Sequence, residues 1–315
     1  MSFQLFPPDA SSIAWEVDWI FWTLTGLSAF IMLLVFAPLT YFAVKYRRSK
    51  SVDRRLLNTS TWKLELTWTI IPLFLGLGIF AWAAEVFFRL QTPPANALEV
   101  SVVGKQWMWK LQHAEGNREI NELHIPIGRT VKLTMTSQDV IHDFFVPAFR
   151  VKQDVVPGRY TTEWFRPTRV GKYHIFCAQY CGTGHSTMIG SVYVMEPRDY
   201  QKWLTTTGQG ETMIAAGERL FHQIGCSGCH GVSSKIRAPR LEGIYGHPVP
   251  LEGGRIVIAD DQYVRDSILL PASQIAAGYQ NLMPTFTGHL SEEEIMQLIA
   301  YLKSLADKQP QDYNP

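Results

Sequence analysis

The rhythm of apolar and polar positions changes three times along this chain. Residues 19–44 carry no charged side chain, nor do residues 68–84, and that second run continues mostly apolar to 88. At a helical rise of about 1.5 Å per residue, 68–88 extends roughly 31 Å, the depth of one hydrocarbon core. A buried helical hairpin would share this pattern, but Trp15, Trp19, Trp22, Tyr41, Tyr46, Trp62, Trp68 and Trp82 crowd the ends of the runs, as in an interfacial aromatic belt. The pattern predicts two membrane helices, about 16–46 and 65–90. From 99 to 196 the period shortens to two: Val131, Leu133 and Met135 alternate with Lys132, Thr134 and Thr136, and turn signals fall at 126–128, 157–158 and 170–171. That predicts an all-β sandwich or barrel. After Pro197 the stretch TTTGQGE predicts a flexible linker, and the remainder reads as short helices. There Ser291 with Glu294 predicts a capping box, and Ile295, Leu298, Ile299, Leu302 and Leu305 share one helix face. The expected layout is a hairpin over 1–94, a β domain over 95–200, a linker over 201–210, a small α domain over 211–308 and a tail over 309–315.

Charge orients this layout. The net charge of +1 on 315 residues excludes a global bias toward nucleic acid. Residues 45–63 hold seven Lys/Arg against Asp53 alone. Positive loops stay in the cytoplasm, so both termini are expected on the outer face of the membrane. The opening MSFQLFPPDASS lacks a basic segment, so a cleaved signal peptide is not evident and the first helix is expected to serve as the targeting signal.

Cysteine spacing brings in the chemistry. The four cysteines form two close pairs, 177/181 and 226/229. The second pair lies in CSGCH, and C-x-x-C-H is the attachment signature of c-type haem: both thiols become thioethers and His230 is an axial ligand. Such haem is coupled outside the cytoplasm, which agrees with the charge argument. The first pair lies in FCAQYCGTGHSTM (176–188), with His185 and Met188 after it. Copper favours thiolate, imidazole and thioether ligands, and a remote second imidazole is best sought at His142 in QDVIHDFFVP. A second thiol on the loop suggests two copper ions bridged by both sulfurs. A 177–181 disulfide, a zinc loop and a thioredoxin-like copper chaperone stay open, although none explains His185 and Met188 at spacings of four and three.

These motifs, with GKQWMWKL (104–111), DVIHDFFVP (139–147) and VKQDVVPGR (151–159), resemble subunit II of a haem–copper cytochrome c oxidase with a cytochrome c domain fused at its C-terminus, the caa-type arrangement. The resemblance implies a two-helix transmembrane hairpin, a cupredoxin-like β-sandwich and an all-α class I cytochrome c domain. It also implies a binuclear copper centre, Cu-A, with Cys177 and Cys181 bridging, His142 and His185 terminal, Met188 axial to one copper and the Gln179 backbone carbonyl axial to the other. Relatives with Glu at that last position help hold magnesium against subunit I; Gln179 keeps the carbonyl without the charge, which puts the magnesium in doubt. Trp107 matches an aromatic residue through which electrons reach the copper, and Trp109 is expected in the core. Glu65 matches a carboxylate near a proton-channel mouth in subunit I. In the haem domain the resemblance implies His230 and Met283 as the axial pair and Pro239 beside His230, while Met296 is expected in the core and Met213, ahead of the Cys pair in the first helix, is not expected to be a ligand. Glu85 and Arg89, one helical turn apart, are expected to pair. The histidines at 113, 124, 174, 222, 247 and 289 show no ligand-like context.

The implied function is electron transfer within a bacterial inner-membrane oxidase: from an external cytochrome c or a quinol:acceptor complex, through the covalent haem to Cu-A, then to a haem in subunit I, with subunit III in the same assembly. Oxygen reduction and proton translocation would lie in subunit I. Residues 99–200 hold twelve Lys/Arg and ten Asp/Glu, whereas 209–315 hold eight and twelve. The donor is therefore expected on the mildly acidic haem domain, with the linker tethering that domain at high effective concentration. A Cu-A subunit of a haem–copper nitric oxide reductase is the alternative reading.

Overall fold

The structure, a computed structural model, describes residues 6–52, 60–207, 210–231, 234, 236 and 238–306. The 309–315 tail, the 53–59 part of the basic loop and linker residues 208 and 209 lie outside the described residues. The chain divides into two compact units, Ser12–Thr92 and the remainder.

The first unit is two long helices, α1 (Ala14–Lys45) and α2 (Trp62–Gln91), both long and apolar enough to cross a membrane. A helix satisfies its own backbone in lipid; Pro38 and Pro72 lie inside these two helices, and each lacks the N–H that would bond to the preceding turn. At one end of the pair the Arg89 guanidinium grips the Glu16 carboxylate with both terminal nitrogens, while Glu85 stands at 3.8 Å. The expected Glu85–Arg89 pair is thus secondary. A bidentate fork outcompetes a single i,i+4 approach.

The second unit begins with a β-sandwich. Its strands are β1 (Leu98–Lys105), β2 (Met108–His113), β3 (Arg118–Ile120), β4 (Glu122–Pro126), β5 (Val131–Ser137), β6 (His142–Val146), β7 (Val151–Val155), β8 (Thr161–Phe165), β9 (Gly171–Cys177) and β10 (Ile189–Met195). They form two five-stranded sheets, ordered β3-β2-β1-β5-β8 and β4-β10-β9-β6-β7. Alternation places Val131, Leu133 and Met135 inside, all fully buried, as their period predicts. Trp109 is also fully buried, meeting the rings of Phe144 and His142 edge-on.

Part of the expected linker is helix. Residues 197–207 form α3 (Pro197–Thr207), so a domain boundary at 200 would cut a helix. The hydroxyls of Thr206 and Thr207 donate to carbonyls four residues back, at 2.7 and 2.6 Å, which makes the Thr run compatible with a helix end. Its inner face, Tyr200 and Trp203, covers a cluster that the histidine reading missed. The Glu119 carboxylate bonds both His113 and His124, and the His124 ring is stacked between Tyr193 and Trp203. Burial alone would raise the Glu119 carboxyl, but the two imidazole hydrogen bonds outweigh it and hold it below its usual range.

The last part holds α4 (Met213–Gln223), α5 (Cys226–His230), the strands β11 (Pro248–Pro250) and β12 (Ile256–Ile258), α6 (Asp261–Leu269) and α7 (Glu292–Ser304). The small β11–β12 hairpin is an addition to an otherwise helical lobe, formed where Val249, Ile256, Val257 and Ile258 flank a Gly253–Gly254 turn with positive φ. Helix α7 starts with the capping box at Ser291 and Glu294, and its five expected apolar residues are all buried. Helices α4 and α7 cross at Gly217, where a Cβ would lie 2.0 Å from the Gln297 carbonyl oxygen; only glycine permits that approach.

One core group stands out for its chemistry. Glu163 on β8 is 5% exposed, and neither of its carboxylate oxygens has a hydrogen-bond partner. Burial, reinforced by the charge of Asp143, pushes its carboxyl well above the usual range. Native Glu163 therefore keeps a proton that the unfolded chain releases above about pH 4, so stability falls as pH rises from there toward the native value, by about 1.4 kcal/mol per pH unit. Glu163→Gln is neutral in both states. Thermal unfolding of the detergent-solubilised chain is expected to show the variant gaining on the parent from pH 5 to pH 8, and a constant difference would contradict a buried neutral acid.

Candidate metal and haem centres

The β6–β9 pairing builds the first site. Phe144 lies opposite Cys177, so His142, two residues earlier on β6, reaches the end of β9 where the Cys-rich loop begins. The loop then folds back through a short 3-10 turn at His185–Thr187 into β10, and this returns His185 and Met188 toward the sulfurs. His142 Nδ1 is 3.9 Å from Cys177 Sγ, and His185 Nδ1 is 3.5 Å from Cys181 Sγ. The two sulfurs are 3.7 Å apart, and both cysteines are free thiols. Met188 Sδ lies 3.9 Å from Cys181 Sγ, and the Gln179 carbonyl oxygen 3.2 Å from Cys177 Sγ. Every ligand candidate named from the sequence for this site therefore converges.

The donor set fits a soft metal. A metal–thiolate bond is about 2.3 Å, so sulfurs 3.7 Å apart can share a metal lying off the line between them. His142, Cys177 and Cys181 by themselves bring ligand atoms within 4.8 Å of one another. The thiols also divide their proton. Burial pushes the Cys177 thiol up, but hydrogen bonds, that with His142 foremost, bring it down to about 7. Cys181, raised by burial and by its neighbouring sulfur, stands at about 12. A thiolate is thus available near neutral pH, and thiolate is the form that binds metal.

Asp139 is the functional residue that motif reading missed. Its carboxylate accepts from His142 Nε2 at 2.8 Å and from the Gln106 backbone N–H at 2.8 Å, which fixes the imidazole with Nδ1 facing the sulfurs. Burial would raise Asp139, but these bonds lower it, so the carboxylate stays ionised. A D-x-x-H spacing just before a strand was the available signal. Trp107 sits beside the same loop: its Nε1 donates to the Cys181 carbonyl at 3.2 Å, and its ring is 37% exposed. Gly184 lies so close under that ring that a Cβ there would come within 2.4 Å of it.

The second site is a cavity of about 250 Å³ among α4, α5, α6 and α7. Cys226, Cys229, His230 and Met283 all line it, with Leu298 and Ile268 among its apolar walls. His230 Nδ1 donates to the Pro239 carbonyl at 2.8 Å, which leaves Nε2 as the free ligand atom. Ser267 Oγ and Gln274 Oε1 line the same cavity, buried without partners, as polar atoms would be in a pocket shaped for a group with its own polar edge. The residues fit a covalently held haem. Met296 and Met213 are buried away from the cavity lining, as packing residues. Glu65 lies on α2, exposed, with its carboxylate accepting from the Thr61 hydroxyl at 2.6 Å.

Two apolar helices, a sandwich with a His₂Cys₂Met cluster and a lobe with a C-x-x-C-H cavity define a class: membrane-anchored electron carriers with a copper site and a c-type haem. Comparison with known proteins agrees. The chain matches the family models described as cytochrome c oxidase subunit II, transmembrane domain (residues 1–83), cytochrome c oxidase subunit II, periplasmic domain (118–194) and cytochrome c (214–306). Cytochrome c oxidase subunit 2 of Alkalihalophilus pseudofirmus is 30% identical over 88% of this chain and 83% of its own length. Alternative cytochrome c oxidase subunit 2 of Bradyrhizobium diazoefficiens is 37% identical over 41% of this chain and 59% of its own. A solved periplasmic domain of cytochrome oxidase subunit II from Bradyrhizobium japonicum is 28% identical, with a TM-score of 0.36, covering 37% of this chain and 96% of that one. The chain belongs to the cytochrome c oxidase subunit II family, with a C-terminal cytochrome c domain. It is thus an electron-transfer subunit of a haem–copper oxidase, and the nitric oxide reductase alternative is not favoured.

Asp139→Ala is expected to weaken copper retention about 10–100-fold in a chelator competition, the usual cost of losing a carboxylate behind a ligating imidazole. Equal retention would show that Asp139 does not orient His142.

Proposed function

We propose that this chain carries Cu-A on Cys177, Cys181, His142, His185, Met188 and the Gln179 carbonyl, and one haem c on Cys226 and Cys229 with His230 and Met283 as axial ligands. The observation that supports it most is the convergence of two Nδ1 atoms, two free thiols and a thioether around one point. Bound copper and haem would supply two one-electron redox centres. The chain's own residues supply rigidity: Asp139 locks His142, and the buried strand ends of β6 and β9 hold the sulfurs in place, so little has to move when charge arrives or leaves. The apolar walls of the haem cavity exclude water, and Met283, which lines it, would supply a thioether that raises the potential of a bound haem iron.

Electrons pass from an external donor, a cytochrome c or a quinol:acceptor complex, to the haem domain and then to the copper domain, and leave for subunit I, with subunit III in the same assembly. The basic 45–63 segment supports a cytoplasmic loop with both cofactor domains on the periplasmic side. Gln179 lacks the charge that a magnesium site at the subunit I interface would use. Trp107, bonded to the Cys181 carbonyl, is suited to accept electrons from outside, and Glu65 keeps the weaker role of a carboxylate at a proton-channel mouth.

In the purified oxidase complex the copper is expected to give a paramagnetic hyperfine pattern of one electron shared by two copper nuclei, and Cys181→Ser should abolish it. A pattern from a single nucleus in the parent would reject the binuclear reading. Met283→His should lower the haem midpoint potential in a redox titration, and an unchanged potential would remove Met283 from the axial pair.

A further inference from the structure

The corner between β3 and β4 gathers donor atoms that the copper and haem sites leave unused. Asn121 carries the chain from one sheet to the other in the left-handed region, at a φ of 58°. Its backbone N–H donates to the Trp109 carbonyl at 2.8 Å, and its Oδ1 accepts from the Trp109 N–H at 2.8 Å, so the corner is pinned from both sides. In one straight strand Glu119 would point to the face opposite Glu122 and His124. Turned at Asn121, the three bring one donor atom each to within 4.8 Å of one another. The pattern E-x-x-E-x-H becomes a constellation only through this corner.

Two of the donors sit in a fixed frame. The Glu119 side chain is 6% exposed, and its carboxylate bonds His124 Nδ1. It also accepts from the His124 backbone N–H at 3.1 Å and from His113 Nε2 at 2.8 Å, and the Tyr200 hydroxyl holds His113 from behind at 3.4 Å. The His124 ring lies nearly parallel to those of Tyr193 and Trp203, at 6° and 16°, which fixes its plane. Glu122 is exposed and supplies the solvent-side donor, and the Tyr193 hydroxyl donates to it at 3.3 Å. A ring fixed in plane and carboxylates hydrogen-bonded from behind are the supports by which proteins aim metal ligands.

Charge separates this group from an ordinary polar cluster. Burial works against the Glu119 carboxylate, but hydrogen bonds from His113 and His124 hold its carboxyl below the usual range, so it is ionised at neutral pH. Among the described residues neither Glu119 nor Glu122 has a Lys or Arg ion-pair partner; Lys172 stands over the Tyr193 ring, 5.0 Å from its centroid. Protonating one imidazole offsets one negative charge, whereas a divalent ion offsets two. One imidazole and two carboxylates, with no sulfur, suit a cation of borderline hardness such as zinc. Copper(I) prefers thiolate and thioether, and calcium surrounds itself with oxygens alone.

We propose that Glu119, Glu122 and His124 form a metal site separate from the Cys-rich loop, for a divalent cation of the zinc type, which locks the β3–β4 corner under Trp203 of α3. The cation displaces the hydrogen that joins His124 Nδ1 to Glu119, the ring binds neutral with its hydrogen on Nε2, and no electron is transferred.

Zinc alone is the probe. Copper-loaded oxidase complex and a Glu122→Gln complex are dialysed to equilibrium against the same zinc sulfate solution, and bound zinc is counted by elemental mass spectrometry. Glu122→Gln is chosen because the side chain is exposed and lies outside the contact of the sandwich with the haem lobe, where Gln297 bonds Gln112 at 3.2 Å and Lys110 meets Glu293 at 2.7 Å. The parent is expected to hold one zinc ion more per copy of this chain than the variant. X-ray absorption of that additional ion should show nitrogen and oxygen neighbours at about 2.0–2.2 Å, without a sulfur shell at about 2.3 Å. Equal zinc in parent and variant overturns the proposal, as does sulfur around the Glu122-dependent ion.

Discussion

The antiparallel pairing of β6 with β9 is the constraint on which the copper site depends. It sets Phe144 against Cys177 and so brings an imidazole from 35 residues away to the start of the Cys-rich loop. A slip of one residue would turn every side chain of β6 to the opposite face and remove His142 from the sulfurs. Register is held by the fully buried Phe144 and Val146 on β6 and by Ile175 on β9. The core of the sandwich is thus also the scaffold of the site.

Much of this was legible in the sequence because it is local. Two charge-free runs, an alternating stretch, a capping box and two cysteine spacings are patterns within a few turns or strands, and the structure realises them with helix ends displaced by one to three residues. His142 could be named because its apolar flank marks the start of a strand. What escaped depends on pairs far apart. Glu16 and Arg89 are separated by 73 residues, and the aromatic cover that α3 places over His113 and His124 joins elements with no shared motif. The Thr-rich stretch misled for another reason: Thr in the last turn of a helix can bond back to the carbonyl behind it, so a composition typical of loops was compatible with helix.

The same distinction holds at the sites. The ligand candidates were named from spacing and resemblance, while the residues that aim them were not. Asp139 behind His142 and the Pro239 carbonyl behind His230 do equivalent work, each taking the outer nitrogen so that the inner one faces its centre. One uses a side chain and the other a backbone oxygen, which carries no signature in the sequence.

The seam between the two lobes has a consequence of its own. Separate redox proteins meet through long-range attraction between charged faces, and added salt weakens that attraction within a Debye length of about 8 Å at physiological strength. Here the contact joins a buried Gln297–Gln112 amide pair and the packing of Met213 and Met296 to partly exposed ion pairs, Lys110–Glu293 and Lys303–Glu99. Ions in the surrounding water reach only these rim pairs, so the packing of the two lobes on each other depends less on external salinity than an encounter made by charge alone.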